Sequence, residues 1–241
     1  MMPPRKNSIA TSALLLLALL ISSAAAFAET AGTVTHLSGP LLARKIDGST
    51  KILSQKSAVE SGDLLVSEKE TYARVKFTDN GEITLKPNTQ IKIDSYLFDQ
   101  AKPESDNAVF NLLKGGLRAL TGLVGKRGNQ DSYKLKAPSA TIGIRGTDFL
   151  ADITPQGTLF VEVLQGAVEV RTPAGILPLA QGQIGFAKDA FTLPVIVPAK
   201  PPEVPKFQPP PSFSAPAAPA PGQATQPAAP SDSKKVDCEV R

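Results

Sequence analysis

The chain has 241 residues with 22 Pro, 18 Gly, 10 Phe, 3 Tyr, no Trp, 1 Cys and 1 His. Its formal charge of +4 is mild for this length and leaves no nucleic-acid footprint. One cysteine forbids an internal disulfide framework or a multi-cysteine zinc site, and a single histidine removes most His-based metal triads and argues against imidazole-centred catalysis.

Residues 1–28 read as a secretory signal peptide. Arg5 and Lys6 form a basic start, Ile9 to Ile21 is an apolar run, and Ala26-Phe27-Ala28 supplies small residues before Glu29. Cleavage is expected between Ala28 and Glu29. The competing reading is an uncleaved anchor, but an apolar core of about 13 residues falls short of the roughly 20 that a spanning helix needs. No cysteine stands at the cleavage site, which argues against lipoprotein processing. Loss of Arg5 and Lys6 leaves a nearly neutral product with no expected membrane span.

Residues 29–193 carry the pattern of strands. Tyr72 to Phe77 alternates, with Ala73, Val75 and Phe77 on one face. Thr78-Asp79-Asn80-Gly81 follows, and Asn-Gly supplies the positive φ angles of a tight hairpin. Glu82 to Leu85 and Gln90 to Ile93 resume the alternation around Pro87-Asn88. Leu113, Leu117, Leu120 and Val124 have helical spacing, but Gly115, Gly116, Gly122 and Gly125 lie among them, each costing a helix about 1 kcal/mol. The expectation there is a strand from Val109 to Leu113, a second strand, then a glycine-rich solvated loop through Lys126-Arg127-Gly128-Asn129. Leu159 to Val163 and Ala167 to Arg171 read as two strands joined at Gln165-Gly166.

Val34, Leu37, Gly39 and Leu41 are echoed in spacing by Val161, Leu164, Gly166 and Val168. Either coils of β-structure stack along the chain, or unrelated hairpins use similar residues. The fold expected is all-β, a solenoid-like or roll stack of short strands in one domain. From Pro194 onward composition shifts, with 13 of the 22 prolines in this last part. Residues 194–241 read as a disordered Pro/Ala-rich tail, a spacer or a docking strand. Cys238 lies in it with no neighbouring base, as an incidental thiol.

The densest segment is Ala137-Pro138-Ser139-Ala140-Thr141-Ile142-Gly143-Ile144-Arg145-Gly146-Thr147-Asp148-Phe149. Gly143 and Gly146 allow the backbone to turn or pack closely. Arg145 is a donor to turn carbonyls or a surface contact. Thr147 and Phe149 should face one side of a strand and Asp148 the other, with Phe149 in the core. Catalytic chemistry is sparse. His36 has no second histidine, and Asp47, Asp63, Asp79 and Asp94 lie at strand ends, where carboxylates accept turn N–H bonds. Glu60 and Asp63 form a carboxylate pair without a visible cleft, and no D-x-D-x-D-G calcium loop is present. Gly143-x-x-Gly146 lacks the Rossmann spacing, and Gly122-x-x-Gly125-Lys126 lacks that of the P-loop. The expectation is a non-enzymatic chain with no cofactor or metal.

Taken together, several segments resemble the FecR domain of bacterial periplasmic proteins, in order and correctly spaced. They are Gly32-x-Val34-x-x-Leu37-x-Gly39, Val59-x-x-Gly62-Asp63, Ala73-x-Val75-x-Phe77, Leu85-x-Pro87-Asn88-Thr89-x-Ile91, the 137–149 segment, Val163-Leu164-x-Gly166-x-Val168-x-Val170 and Leu179-x-x-Gly182-Gln183. The resemblance implies an extracytoplasmic β-domain. The best-known members transmit signals between an outer-membrane transporter and a sigma factor during ferric siderophore uptake. They carry a cytoplasmic anti-sigma segment, a membrane helix and a terminal domain. This chain is expected to depart from that plan, with no anti-sigma segment before its signal peptide and Pro-rich sequence where the terminal domain would stand. It is therefore expected to resemble stand-alone secreted FecR-domain proteins. Three functions follow as expectations. The chain is a periplasmic protein-binding or scaffold module for an unidentified envelope partner, a trans-acting component of FecR-type signalling, or a surface-exposed structural or adhesion protein.

Overall fold

The computed structural model of the chain describes residues 30–127 and 131–213, and at Arg145 the backbone alone. The expected signal segment with Ala28 and Glu29, the Gly128-Asn129 part of the glycine-rich loop, and residues 214–241 with Cys238 lie outside the described residues.

The described residues are all-β. In chain order the strands are β1 Thr30–Leu37, β2 Leu41–Arg44, β3 Thr50–Leu53, β4 Ala58–Glu60, β5 Leu64–Ser67, β6 Ala73–Phe77, β7 Glu82–Leu85 and β8 Gln90–Leu97. After a 3-10 turn at Pro103–Ser105 come β9 Asn107–Leu120, β10 Tyr133–Lys136, β11 Thr141–Ile153, β12 Leu159–Thr172, β13 Gly175–Ala180, β14 Ile184–Ala187 and β15 Val195–Val197. A second 3-10 turn spans Pro211–Phe213.

All fifteen strands share one hydrogen-bonded sheet, ordered β15-β14-β12-β11-β10-β9-β7-β6-β1-β4 with the others branching from it. Only β9 and β10 pair in parallel; the remaining pairs are antiparallel. A stack of repeating coils is not what this pairing shows. Instead the sheet curls into a small closed barrel with extra strands. β1, β6, β7, β9 and β8 follow one another, and the corner after β4 reaches β8 through Gly62 N to Ile93 O (2.6 Å) and Ile93 N to Asp63 O (2.9 Å). Closure removes strand edges and gives inward side chains a core.

Period-2 patterning fills that core. Ala73, Val75 and Phe77 of β6 are buried while Arg74 and Lys76 are not. Phe77 meets Phe110 edge-on at 5.1 Å between ring centroids, Tyr96 lies 5.2 Å from Phe77, and Tyr133 lies 5.4 Å from Phe110. The Tyr96 hydroxyl accepts from the Asp79 amide at 3.1 Å, so its polar tip is satisfied at the barrel rim.

The hairpin after β6 uses its residues differently from the sequence expectation. Asn80 alone takes the left-handed conformation, at φ +65°. Gly81 instead permits close approach, since a Cβ there would lie 3.0 Å from the Gly122 nitrogen. Asp79 then accepts from the Gly81 and Val124 amides at 2.9 and 3.1 Å, which ties the hairpin to the chain beyond β9.

Two segments expected as strand pairs are single long strands. β9 runs through all of 107–120; its first half pairs with β8 and β10, its second with β7 and β11. The change of partners falls at Gly115, at φ +82°, where a Cβ would lie 2.7 Å from Thr89 Cα. β12 likewise continues through Gln165-Gly166, where the register against β11 shifts instead of the chain reversing. Gly166 is left-handed and packs on the Gly146 carbonyl. The two echoed motifs thus differ: Ser38-Gly39-Pro40 turns β1 into β2, whereas Gly166 sits in a bulge. Lys126-Arg127 also departs from a solvated loop. Lys126 is exposed, but the Arg127 guanidinium reaches the Asp106 carboxylate at 3.1 Å and the Asp99 carbonyl at 2.9 Å.

Folded structure also continues past the expected boundary at 193. β15 pairs with β14, and Val204 and Phe213 are buried. The apolar anchors in 194–213 are widely spaced, and the sheet face beneath them supplies the burial that the segment alone lacks.

Phe149 sits in β11 with no exposed surface. Phe149→Ala should cost about 3–5 kcal/mol and lower Tm on the order of 10 °C. An unchanged thermal melt would contradict its place in the core.

Candidate functional site

The outer face of the sheet carries a polar ladder. Arg74 of β6 pairs across to Thr84 of β7, Thr84 to Arg118 of β9, and Arg118 to Leu150 of β11. By alternation Asp148 and Asp152 share that face of β11, and Glu162 of β12 lies opposite Leu150. Asp148 takes both Arg118 Nε (2.9 Å) and Nη2 (2.6 Å), and this bidentate bond raises the Arg118 pKa further, against the opposing effect of burial.

Residues 198–213 cross this face as a strap that runs from β11 and β12 towards β1. At one end Lys200 Nζ binds Asp152 (3.0 Å) and Glu162 (2.9 Å). Next, Val204 is buried and the Pro205 carbonyl accepts from Lys86 Nζ at 2.6 Å. Phe207 lies 5.8 Å from the Arg118 guanidinium and meets Tyr72 edge-on at 6.0 Å, while the Gln208 amide donates to the Tyr72 hydroxyl at 3.2 Å. At the far end the Phe213 ring packs 5.4 Å from His36, 6.2 Å from Tyr72 and 5.5 Å from the Arg74 guanidinium.

At the centre is a buried ion pair, Lys86 with Asp152, each side chain 4% exposed. Backbone glycine makes room for it. A Cβ at Gly116 would run into the Asp152 carboxylate and lie 3.0 Å from Lys86 Cδ. Thr89 completes the support by donating its hydroxyl to the Gly116 carbonyl (2.9 Å) and accepting from the Gly116 amide (3.0 Å). Burial pulls the Lys86 pKa below its ordinary 10.5, and Asp152 only partly offsets this. Beside the pair opens a cleft of about 330 Å³, lined among others by Tyr72, Lys86, Lys114, Asp152 and Val204. A second space of about 260 Å³ lies by Arg74, Thr84, Arg118, Phe207 and Phe213.

Of the residues singled out in the sequence, His36 meets the strap through Phe213, and the 137–149 segment and the Glu60–Asp63 pair lie elsewhere. Gly143 lies within β11 opposite Lys134 and Glu169, and Arg145 pairs through its backbone with Ala167. Gly146, at φ +58°, begins the β11 bulge. Thr147 is buried: its amide donates to the Thr121 hydroxyl (2.7 Å) and its own hydroxyl to the Ala167 carbonyl (2.7 Å). Phe149 is core, and none of Gly143, Gly146, Thr147 and Phe149 lines the groove. Glu60 and Asp63 share Lys45 at 2.9 and 2.8 Å. Burial works against the Lys45 charge, but hydrogen bonds to Asp63 and Glu60 prevail and raise its pKa. That pair is a corner clamp between β4 and β5. Among the described residues no group of three or more His, Cys, Asp or Glu could hold a metal ion.

Lys86, Asp152, Tyr72, Arg74, Arg118, Lys200, Phe207 and Phe213 were not singled out in the sequence. Adjacent Gly115 and Gly116 in a strand were the available signal, because such pairs mark close approach by another chain segment.

Asp152→Ala leaves Lys86 buried without its counter-ion, and urea melts should show a loss of about 3–5 kcal/mol. Arg118→Ala, at a half-exposed pair, should cost at most about 1 kcal/mol. Equal losses would contradict the central place of the buried pair. The lowered Lys86 pKa also fixes a sign. The folded chain releases this proton at lower pH than the unfolded chain, so stability rises as pH climbs through the folded value towards 10.5. The stability difference between wild type and Lys86→Met should therefore move in favour of wild type across that window, and movement the other way would contradict the assignment.

Residues 63–169 match the family model described as FecR protein. The matched stretch runs from the corner after β4 into β12, and so contains Lys86 and Asp152 but not the strap. No curated protein matches the chain at a significant level. Two crystal structures of a candidate anti-sigma factor from Parabacteroides distasonis are similar, at 14% and 12% identity, each covering 56% of this chain with a TM-score of 0.44. The chain spans 58% of the length of those solved structures. Its family resemblance is thus to FecR, over residues 63–169.

Proposed function

We propose that this chain is a non-enzymatic protein-binding or scaffold module of the bacterial cell envelope, exported to the periplasm with cleavage between Ala28 and Glu29. The observation that carries this reading is the outer sheet face, which engages a proline-rich segment, residues 198–213, through charges, backbone hydrogen bonds and aromatic rings. Such a face recognises chain conformation and side-chain spacing, and its ion pair serves to hold the groove together. The expected signal peptide and the FecR match support the compartment.

A second reading, a trans-acting role in FecR-type signalling, is favoured by the same match over residues 63–169. An adjacent sigma-factor gene and outer-membrane receptor gene would favour signalling over a general scaffold.

Two measurements on cells test the main reading. Mass spectrometry of the periplasmic fraction should find a chain beginning at Glu29. A photo-crosslinking amino acid placed in turn at exposed Ile52, Leu97 and Ile176 should give a discrete adduct with one envelope protein from at least one position. An uncleaved cytoplasmic chain, or no adduct from any position, would contradict it.

A further inference from the structure

We propose that the groove beneath residues 198–213 is a docking site for a proline-rich, Lys- and Phe-bearing segment of another protein, and that the strap holds the site closed as an internal competitor. The inference rests on the protein-binding reading above and names its site and the chemistry of its partner.

The occupant is argued from what already lies in the groove. The strap is a proline-rich segment with a turn at Pro201–Val204 and a 3-10 turn at Pro211–Phe213; proline fixes φ, so such a segment loses little entropy on docking. The groove reads it at spaced points. Asp152 and Glu162 take a lysine at one end, and Lys86 and the Tyr72 hydroxyl take backbone groups in the middle. Arg118, Arg74, Tyr72 and His36 take two phenylalanine rings towards the other end. A partner segment therefore needs the order Lys, short apolar residue, Phe, Phe at the strap's separations.

The strap is also a loose fit. Pro202, Glu203, Pro205, Lys206, Gln208, Pro211 and Ser212 are exposed between its anchors. Clefts of about 330 and 260 Å³ open beside it, bordered by Val204 and by Phe207 and Phe213. Its tether still gives it an effective concentration on the order of millimolar. A free segment of equal intrinsic affinity is therefore excluded until the strap's own anchors weaken or the partner offers better ones.

The test uses the full chain and a fluorescent peptide copying residues 198–213. Phe207→Ala with Phe213→Ala removes two strap anchors and leaves every groove residue intact. Fluorescence anisotropy should show the peptide binding this double variant at least tenfold more tightly than wild type. A peptide carrying the same two alanines should bind neither. Equal binding to both chains, or none at millimolar peptide with the double variant still β-folded by circular dichroism, overturns the proposal. If the double variant fails to fold, Phe207→Ala alone replaces it, read by hydrogen exchange: excess peptide should expose the Val204 and Gln208 amides, and unchanged exchange overturns the proposal. Wild-type dimers formed by exchanging straps would assign the groove to a second copy and likewise overturn it. None of these failures affects the photo-crosslinks from Ile52, Leu97 or Ile176, which lie outside the groove, so loss of the docking site and loss of the binding-module reading are distinguishable.

Discussion

The Lys86–Asp152 pair is the constraint around which the outer face is organised. Neither ion is tolerable alone in so buried a position, and their attraction offsets the desolvation only where further polar groups complete the shell. Those groups come from distant parts of the sequence: Lys200 on the other carboxylate oxygen, and the Pro205 carbonyl on the lysine. Satisfying the pair thus draws residues 198–213 onto the sheet. The absence of a side chain at Gly116 is what lets β7 and β11 bring the two charges together across β9. A strand glycine, weakening in isolation, is required here by packing.

The barrel and the strap depend on different physics. Inside, apolar side chains arrive by simple alternation, and closure gives them a core, with polar contacts such as those of Asp79 and Lys45 confined to its corners and rim. Outside, the attachment is a chain of separate polar and aromatic contacts spread over a long, largely exposed segment. The first arrangement gives a rigid frame. The second gives a surface that grips an extended chain without fusing with it, as a recognition groove does. The FecR match covers much of the frame and the ion pair but stops short of the strap, so the part that closes the groove lies outside the matched stretch.

The sequence was informative where structure is local. Alternation in Tyr72 to Phe77 identified a half-buried strand because period two has one physical meaning there, and the Asn80-Gly81 signal marked a true hairpin. Legibility failed where tertiary contacts decide. Gly115 and Gln165-Gly166 read as strand breaks because glycine disfavours strands locally, yet β9 and β12 run through them by changing partners or bulging. Lys86, just before Pro87-Asn88, resembles an ordinary solvated residue at a strand end; only the fold brings Asp152 to it. The strap was hidden for a related reason. Val204, Phe207 and Phe213 are too far apart to register as a pattern, and proline between them favours a solvated reading until a sheet face is placed underneath.

The most direct test of this account is nuclear Overhauser spectroscopy on the full chain. Cross-peaks should connect the Phe213 ring protons to those of His36 and Tyr72, whose ring centroids lie 5.4 and 6.2 Å away. Phe207 and Phe213 at random-coil shifts, with no such cross-peaks, would show that the outer face stands bare and that the strap does not organise it.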